Sequence, residues 1–140
     1  MAISQGMASS FKPEILGGVH DLDTDVIMIA LYVSTATLSA ATTAYTTSNE
    51  VATAGGYTAG GIQLTSPVIS LDGTTGICDF ADATWPAATI TARGALIYNS
   101  SKSNKAIAVL DFGSDKTSTA GAFTVIMPAA AAATALVRIS

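Results

Sequence analysis

The stretch Ala88–Tyr98, with the sequence ATITARGALIY, is the longest candidate β-strand in this chain. Every second side chain of a strand points to the same face of a sheet. The face assigned to the core carries Ile90, Ala92, Gly94, Leu96 and Tyr98. A slip of one residue would exchange the two faces, but under either assignment the stretch predicts a β-strand.

Two further apolar stretches predict strands. Ala106–Phe112 (AIAVLDF) follows a polar segment, Asn99–Lys105, which has the composition of a hairpin loop. Val26–Val33 (VIMIALYV) is apolar on both faces, which favours a central strand that is covered on both sides. A buried helix is the alternative for Val26–Val33, but its length and its β-branched residues favour the strand.

Shorter strand candidates occur along the rest of the chain. They are Ile62–Leu64, Val68–Leu71, Gly76–Phe80, Ala122–Met127 and Leu136–Ile139. Pro67 predicts an edge position or a bulge beside it, because proline cannot donate a hydrogen bond to a sheet ladder. Asp72 and Gly73 predict a turn, and Gly113–Gly121 is predicted to be a polar loop.

Two segments leave alternatives open. Ser34–Tyr57, which is rich in Thr and Ala, is compatible with short strands or with a long ordered loop. Ala129–Ala133, which follows Pro128, is compatible with a helical turn or with a tightly packed connection.

These elements predict an all-β fold. About seven or eight short strands with turn signals at regular spacing are typical of a single antiparallel β-sandwich, here expected to be jelly-roll-like. Residues 1–20 are predicted to form an extended N-terminal arm with a short helical turn at Lys12–Leu16, which Gly17 and Gly18 end. Residues 21–140 are predicted to form the sandwich domain.

Charged side chains are scarce. They make up 11% of the 140 residues, against about 25% in an ordinary soluble domain. Three long stretches carry none, namely Val26–Asn49, Val51–Leu71 and Thr117–Val137. Charge keeps a lone domain soluble and apart from its neighbours, so this composition favours a chain whose surface is covered by other proteins.

Two classes of partner have no support in the sequence. The net charge of −4 gives no support for nucleic-acid binding, and the longest apolar run is too short for a membrane span.

The residues that usually carry catalysis lack the partners they need. The single cysteine, Cys78, is predicted to be a buried apolar residue, since nothing ties it to an activating base. His20 and Asp21 are adjacent, and adjacent residues of an extended chain point to opposite faces. We therefore expect no enzymatic activity.

Two motifs imitate ligand sites. Asp21, Asp23 and Asp25, on one side of an extended chain, match the start of a calcium loop, but the Gly and Glu that should follow are absent. A solvated strand edge is the simpler interpretation, and weak calcium binding is the alternative. Gly55–Gly61 has the glycine spacing of a phosphate loop without the lysine that must follow. We expect no cofactor and no metal.

Six residues are candidates for contacts with other chains. They are Met1, Ile3, Met7, Phe11, Trp85 and Arg93. The first four lie in an uncharged N-terminal segment that would become ordered on docking. Trp85 is either a core residue or an interface anchor. Arg93 lies in a strand otherwise without charge and needs a carboxylate, either Asp79 or Asp111 across the sheet or one on a neighbouring chain.

Five stretches resemble a known family. They are FKPEILGGVH at Phe11–His20, IALY at Ile29–Tyr32, YTTSNEV at Tyr45–Val51, TITARGALIYN at Thr89–Asn99 and AIAVLDFG at Ala106–Gly113. From about Phe11 to Ile139, the chain is similar to small virion proteins of tailed bacteriophages, and the last two stretches are the most recognisable part.

The resemblance implies a non-enzymatic component of the phage particle. The favoured role is a head decoration, or cement, protein, made in the host cytoplasm and bound to the capsid exterior. Such proteins often form homotrimers at local threefold positions and clamp neighbouring subunits of the major capsid protein. The alternative is a tail or fibre-adaptor protein or a host-surface-binding β-sandwich. Neither nucleic acid nor a membrane is an expected partner.

Overall fold

The computed structural model describes residues 2–140, of which strands form the largest part: 48% is strand and 6% is helix. The strands in this range are β1 (Gly6–Met7), β2 (Ile27–Tyr32), β3 (Ile62–Gln63), β4 (Val68–Asp72), β5 (Thr75–Asp79), β6 (Ala83–Asn99), β7 (Lys105–Val125) and β8 (Val137–Ile139). The helical elements in the same range are α1 (Phe11–Leu16) and a 3₁₀ turn (Ser100–Lys102). The predicted all-β class is confirmed.

The strands form two sheets. The larger has the order β1-β7-β6-β2-β3, and the smaller has the order β4-β5-β8. Every pairing between named strands is antiparallel. The predicted antiparallel β-sandwich is therefore confirmed, with sheets of unequal size.

Strand β2 lies in the interior of the larger sheet. It pairs with β6 along its whole length and with β3 near its start. Five of its six residues are buried, which confirms the prediction of a strand covered on both faces. The inward face predicted for β6 is confirmed in its outer part, where Ile90 and Ala92 are buried while Thr91 is exposed. From Gly94 to Asn99 both faces of β6 are buried.

Strands β6 and β7 are much longer than expected, at 17 and 21 residues. The prediction of a loop at Gly113–Gly121 was wrong, because this segment is part of β7. Polar residues are tolerated there because the outer parts of β6 and β7 form a ribbon with one solvated face, on which the hydroxyls of Thr91 and Thr117 lie 3.2 Å apart. Positive φ angles at Gly113 and Ala120 mark the bulges that the longer strand needs.

The N-terminal arm lies on the chain's own sheet. Strand β1 pairs with β7, and Ile3 forms a parallel bridge with Leu38. Helix α1 follows and ends at Gly17 as predicted, with Phe11 fully buried. Arm and helix therefore pack on the same core as residues 21–140.

Two other segments form turns. Asp21–Asp25 was predicted to be extended, and this was wrong: the Asp21 carboxylate accepts hydrogen bonds from the backbone N–H groups of Asp23 and Thr24, which closes a turn. After β7, residues 126–136 contain no helix, but the backbone N–H of Ala135 donates to the carbonyl of Ala131 at 2.9 Å. This closes a single turn that begins two residues after the helical turn that was one alternative at Ala129–Ala133. The turn predicted at Asp72 and Gly73 joins β4 to β5 as expected.

Ser34–Tyr57 is the long ordered loop, and the alternative of short strands is reduced to isolated bridges. The loop contributes Leu38 and Tyr57 to the core, each 1% exposed. The chain then enters β3 through Gly61, where φ is +80° and an added Cβ would lie 1.7 Å from the backbone oxygen of Ile29. Only glycine lets β3 approach β2 so closely.

We predict that Gly61→Ala lowers the free energy of unfolding by more than about 3 kcal/mol, because the new methyl group meets backbone that cannot move aside. Gly73→Ala is the matched control: its φ is +62° but nothing lies within 4 Å of the added Cβ, so we expect a loss of about 1 kcal/mol from backbone strain alone. Urea denaturation of both variants measures the difference, and equal losses would contradict the close approach at Gly61.

Candidate interaction surface

Three of the six residues predicted to contact other chains lie in the core of this one. Ile3, Phe11 and Trp85 are 8%, 0% and 3% exposed. Met7 is half-buried on β1, at the edge of the larger sheet, and Met1 lies outside the described residues. The structure thus gives three of these side chains a role within the chain, and their contact with a partner stays a prediction.

Trp85 packs in an aromatic group at the outer part of β6. Its ring centroid lies 5.9 Å from that of Tyr57 and 6.1 Å from that of Phe123, the latter in an edge-to-face arrangement. Such aromatic pairs stabilise a core beyond the area they bury. Of the two alternatives for Trp85, the structure shows the core residue.

Arg93 has a different partner from those expected. Its Nε donates to Oδ1 of Asp115 at 2.9 Å, so the expectation of Asp79 or Asp111 was wrong. Asp115 lies in the segment that was predicted to be a loop, and the extension of β7 brings it opposite β6. Both side chains are at least a third exposed, so this ion pair contributes no more than about 1 kcal/mol.

A carboxylate organises the long loop. Glu50 accepts hydrogen bonds from the hydroxyl of Tyr45 at 2.6 Å, from the hydroxyl of Tyr57 at 2.5 Å and from the backbone N–H of Gly60 at 2.7 Å. The Tyr57 hydroxyl in turn accepts the backbone N–H of Leu31 in β2. Glu50 thereby joins two parts of the loop to the central strand.

The other two tyrosines of the chain lie in the same place. The Tyr98 hydroxyl donates to the carbonyl of Gly60, and its ring stacks on Tyr45 at 4.7 Å. The Tyr32 hydroxyl donates to the carbonyl of Thr46. Burial, and secondly the charge of Glu50, raises the pKa of all four tyrosines. We call Glu50 and the four tyrosines the tyrosine cluster. Its phenols are neutral, and two of them donate to the carboxylate while the other two donate to backbone carbonyls.

His20 is also committed to structure. Its Nδ1 accepts from the Asn99 amide at 3.0 Å, so the proton lies on Nε2, which donates to Glu14 at 3.0 Å. The Asn99 amide also donates to Asp25 at 2.8 Å. The imidazole ties α1 and the turn after it to the β6–β7 hairpin, and both its nitrogens are occupied.

Cys78 is buried, as predicted, and burial together with neighbouring carboxylates raises the pKa of its thiol to about 12. The nucleophilic form of cysteine is the thiolate, which is almost absent at neutral pH when the pKa is raised in this way.

In residues 2–140 no three His, Cys, Asp or Glu side chains are grouped so that they could hold a metal ion.

Among the strands of residues 2–140, those of the smaller sheet carry the most exposed aliphatic side chains. Ile69, Leu71 and Ile139 are 56%, 70% and 53% exposed. Cross-strand pairing puts Leu71 and Ile139 on the same face, one on each side of Gly76, and puts Ile69 in line with Val137. We call Ile69, Leu71, Val137 and Ile139 the aliphatic face. It contains no charged side chain.

Two grooves adjoin the sheets. One, of about 440 Å³, lies between the aliphatic face and the end of α1 and is lined mainly by apolar residues, including Ile15, Leu22 and Ile77. A larger one, of about 1000 Å³, lies between β7 and the C-terminal segment, and its lining mixes charged and apolar residues such as Lys116 and Phe123. An uncharged sheet face beside an apolar groove is suited to contact with another protein.

The aliphatic face is absent from the six residues that the sequence singled out. The only signal for it was Pro67, which predicted an edge position, and β4 is indeed an edge strand. Its alternating aliphatic residues predicted a strand but not that the strand would stay uncovered.

Comparison of the chain with protein-family models, with curated protein sequences and with solved structures found no match. The resemblance to small phage virion proteins therefore depends on the five quoted stretches of sequence. Within residues 2–140, no helix has both the length and the apolar character needed to cross a membrane.

We predict that Glu50→Gln lowers the free energy of unfolding by about 2–4 kcal/mol, because an amide nitrogen would face one of the three donors and leave it unsatisfied. Asp23→Asn removes the same charge from an exposed residue and should change stability by less than about 0.5 kcal/mol. Urea denaturation at pH 7 measures both. Similar losses in the two variants would show that the tyrosine cluster does not hold the loop.

The tyrosine cluster also predicts a loss of stability at alkaline pH. The unfolded chain releases phenolic protons near pH 10, whereas the folded chain retains them because its tyrosine pKa values are raised. Stability is therefore fully present well below pH 10 and falls above it, by about 1.4 kcal/mol at pH 11 for each phenol that keeps its proton in the folded chain. Urea denaturation between pH 8 and 11.5 tests this, and Tyr32→Phe, which removes one fully buried phenol, should make the fall in stability with pH shallower. An unchanged stability up to pH 11 would contradict the prediction.

Proposed function

We propose that this chain is a non-enzymatic head decoration protein of a tailed bacteriophage, which binds the outer surface of the capsid and stabilises it by bridging subunits of the major capsid protein. The observation that supports this most is the aliphatic face, with three aliphatic side chains more than half exposed. Such a face is costly in a protein that stays alone in water and is expected in one that is covered by a partner.

The chemistry of the titratable groups is consistent with a structural role. The carboxylate of Glu50 and the imidazole of His20 are engaged by neighbouring donors and acceptors, and the thiol of Cys78 is buried and protonated. Each group contributes to the fold, where an enzyme would need it free to meet a substrate.

In the proposed assembly the chain forms the homotrimer that the resemblance implies. Each copy would contribute one aliphatic face, and contacts that are weak alone become strong when several are made together. The scarcity of charge fits such contacts, because interface cores are depleted of charged residues.

Quantitative mass spectrometry of purified virions tests the proposal through the copy number of this chain relative to the major capsid protein. We expect a ratio near one or a simple fraction of it. A ratio of a few per cent would favour the alternative, a tail or fibre-adaptor protein, and absence from the particle would overturn both.

The binding surface is tested by adding purified chain to capsids that lack it. We expect Leu71→Ser to weaken binding at least tenfold, because it removes the most exposed side chain of the aliphatic face. Val26→Ser is the control, since Val26 is also an exposed aliphatic residue but directly precedes β2 of the larger sheet and does not line the groove beside the aliphatic face. Equal binding of the two variants would show that the aliphatic face does not contact the capsid.

A further inference from the structure

The edges of the two sheets differ in how they are protected against pairing with other strands. The outer strands of the larger sheet, β1 and β3, are two residues long. The long edge of β7 beyond β1 carries Asp115 and Lys116 and bulges at Gly113 and Ala120. Short strands, charges and bulges are the usual means by which sheet edges avoid pairing.

Strand β4 pairs in a continuous register without a bulge, and its charge is confined to one end. All five residues of Val68–Asp72 are exposed, and the only charge is Asp72 at the last position. Its backbone pairs with β5 on one side. Among residues 2–140, the other hydrogen bond to β4 goes to a side chain, from the backbone N–H of Ala132 to the carboxylate of Asp72 at 2.6 Å. A regular, uncharged edge of this kind offers unpaired N–H and C=O groups to another strand.

We propose that the free edge of β4 pairs in antiparallel fashion with the β4 edge of a second copy of this chain. Full overlap of the two strands puts Ser70 opposite Ser70 of the other copy, and Ile69 opposite Leu71. Each Asp72 then lies opposite Val68, so that the two carboxylates are at opposite ends and do not repel each other. The strand is thus complementary to itself in both charge and side-chain type.

The same pairing accounts for the exposed aliphatic side chains. Ile69 and Leu71 lie on one face of the sheet, and opposite residues in an antiparallel pair share a face. The two aliphatic faces therefore become continuous across a six-stranded sheet in the order β8-β5-β4-β4-β5-β8, and every pairing remains antiparallel. A strand from a different protein would need its own matching sequence, whereas a second copy supplies the match by symmetry.

A charge exchange in purified chain tests the pairing without any capsid, so its result is independent of the proposed function. Ile69→Lys with Leu71→Lys puts like charges opposite each other in both halves of the paired edge. Ile69→Lys with Leu71→Glu changes the same two exposed positions but puts opposite charges there. In sedimentation velocity, we expect the native chain and the Lys/Glu variant to have at least twice the mass of the Lys/Lys variant. This ratio holds whether the Lys/Lys variant is a monomer or a trimer. Self-association of the Lys/Lys variant should be weaker by roughly tenfold or more.

Equal masses for all three proteins would overturn the proposal, as would a Lys/Glu variant that dissociates like the Lys/Lys variant. If the Lys/Lys variant lost only capsid binding, the partner of β4 would be a capsid strand and the self-pairing would again be wrong.

Ser70→Cys tests the register of the pairing, because opposite Cα atoms lie about 4.5–5.5 Å apart, within reach of a disulfide. We expect a covalent dimer on oxidation, and Ser114→Cys, exposed on β7, should give none. No dimer from Ser70→Cys would overturn this register.

Discussion

The hydrogen bonds of one carboxylate, that of Glu50, constrain much of this structure. The loop between β2 and β3 contains almost no ladder of its own, so its polar groups must find partners one by one. Glu50 takes three donors from different parts of this loop, and one of them, the Tyr57 hydroxyl, reaches the backbone of β2. A carboxylate can accept several hydrogen bonds at once, which a neutral acceptor at this point could not match.

The ordered loop in turn allows β2 to be apolar on both faces. Strand β2 would otherwise expose one row of its side chains, and Leu38 and Tyr57 from the loop are buried in the core that β2 forms with β6. Packing is closest where the loop ends, at Gly61, which explains why a loop poor in bulky residues still has a defined path. The larger sheet is thus completed by its own loop and arm, whereas the smaller sheet keeps a free edge and three exposed aliphatic side chains, those of Ile69, Leu71 and Ile139.

The periodicity of apolar residues predicted the buried strands correctly. Composition misassigned the polar part of β7, which was predicted to be a loop. The double-faced apolar pattern of β2 and the alternation in β6 are consequences of burial, so the sequence carries them directly. The polar residues of Gly113–Gly121 look like a loop because a two-stranded ribbon needs no apolar row on its solvated face. That single error also concealed Asp115 as the partner of Arg93. Leu71 is exposed because no other segment of the described chain covers it. A local sequence pattern carries no information about such a missing contact.

The raised pKa of the Cys78 thiol affects how the protein behaves under oxidising conditions. Burial raises the pKa of this thiol to about 12, so the thiol is almost entirely protonated at neutral pH. Exchange with glutathione, oxidation to a sulfenic acid and mixed disulfides between neighbouring copies all begin from the thiolate. Copies of this chain that lie side by side would therefore resist covalent cross-linking through Cys78 in oxidising solution.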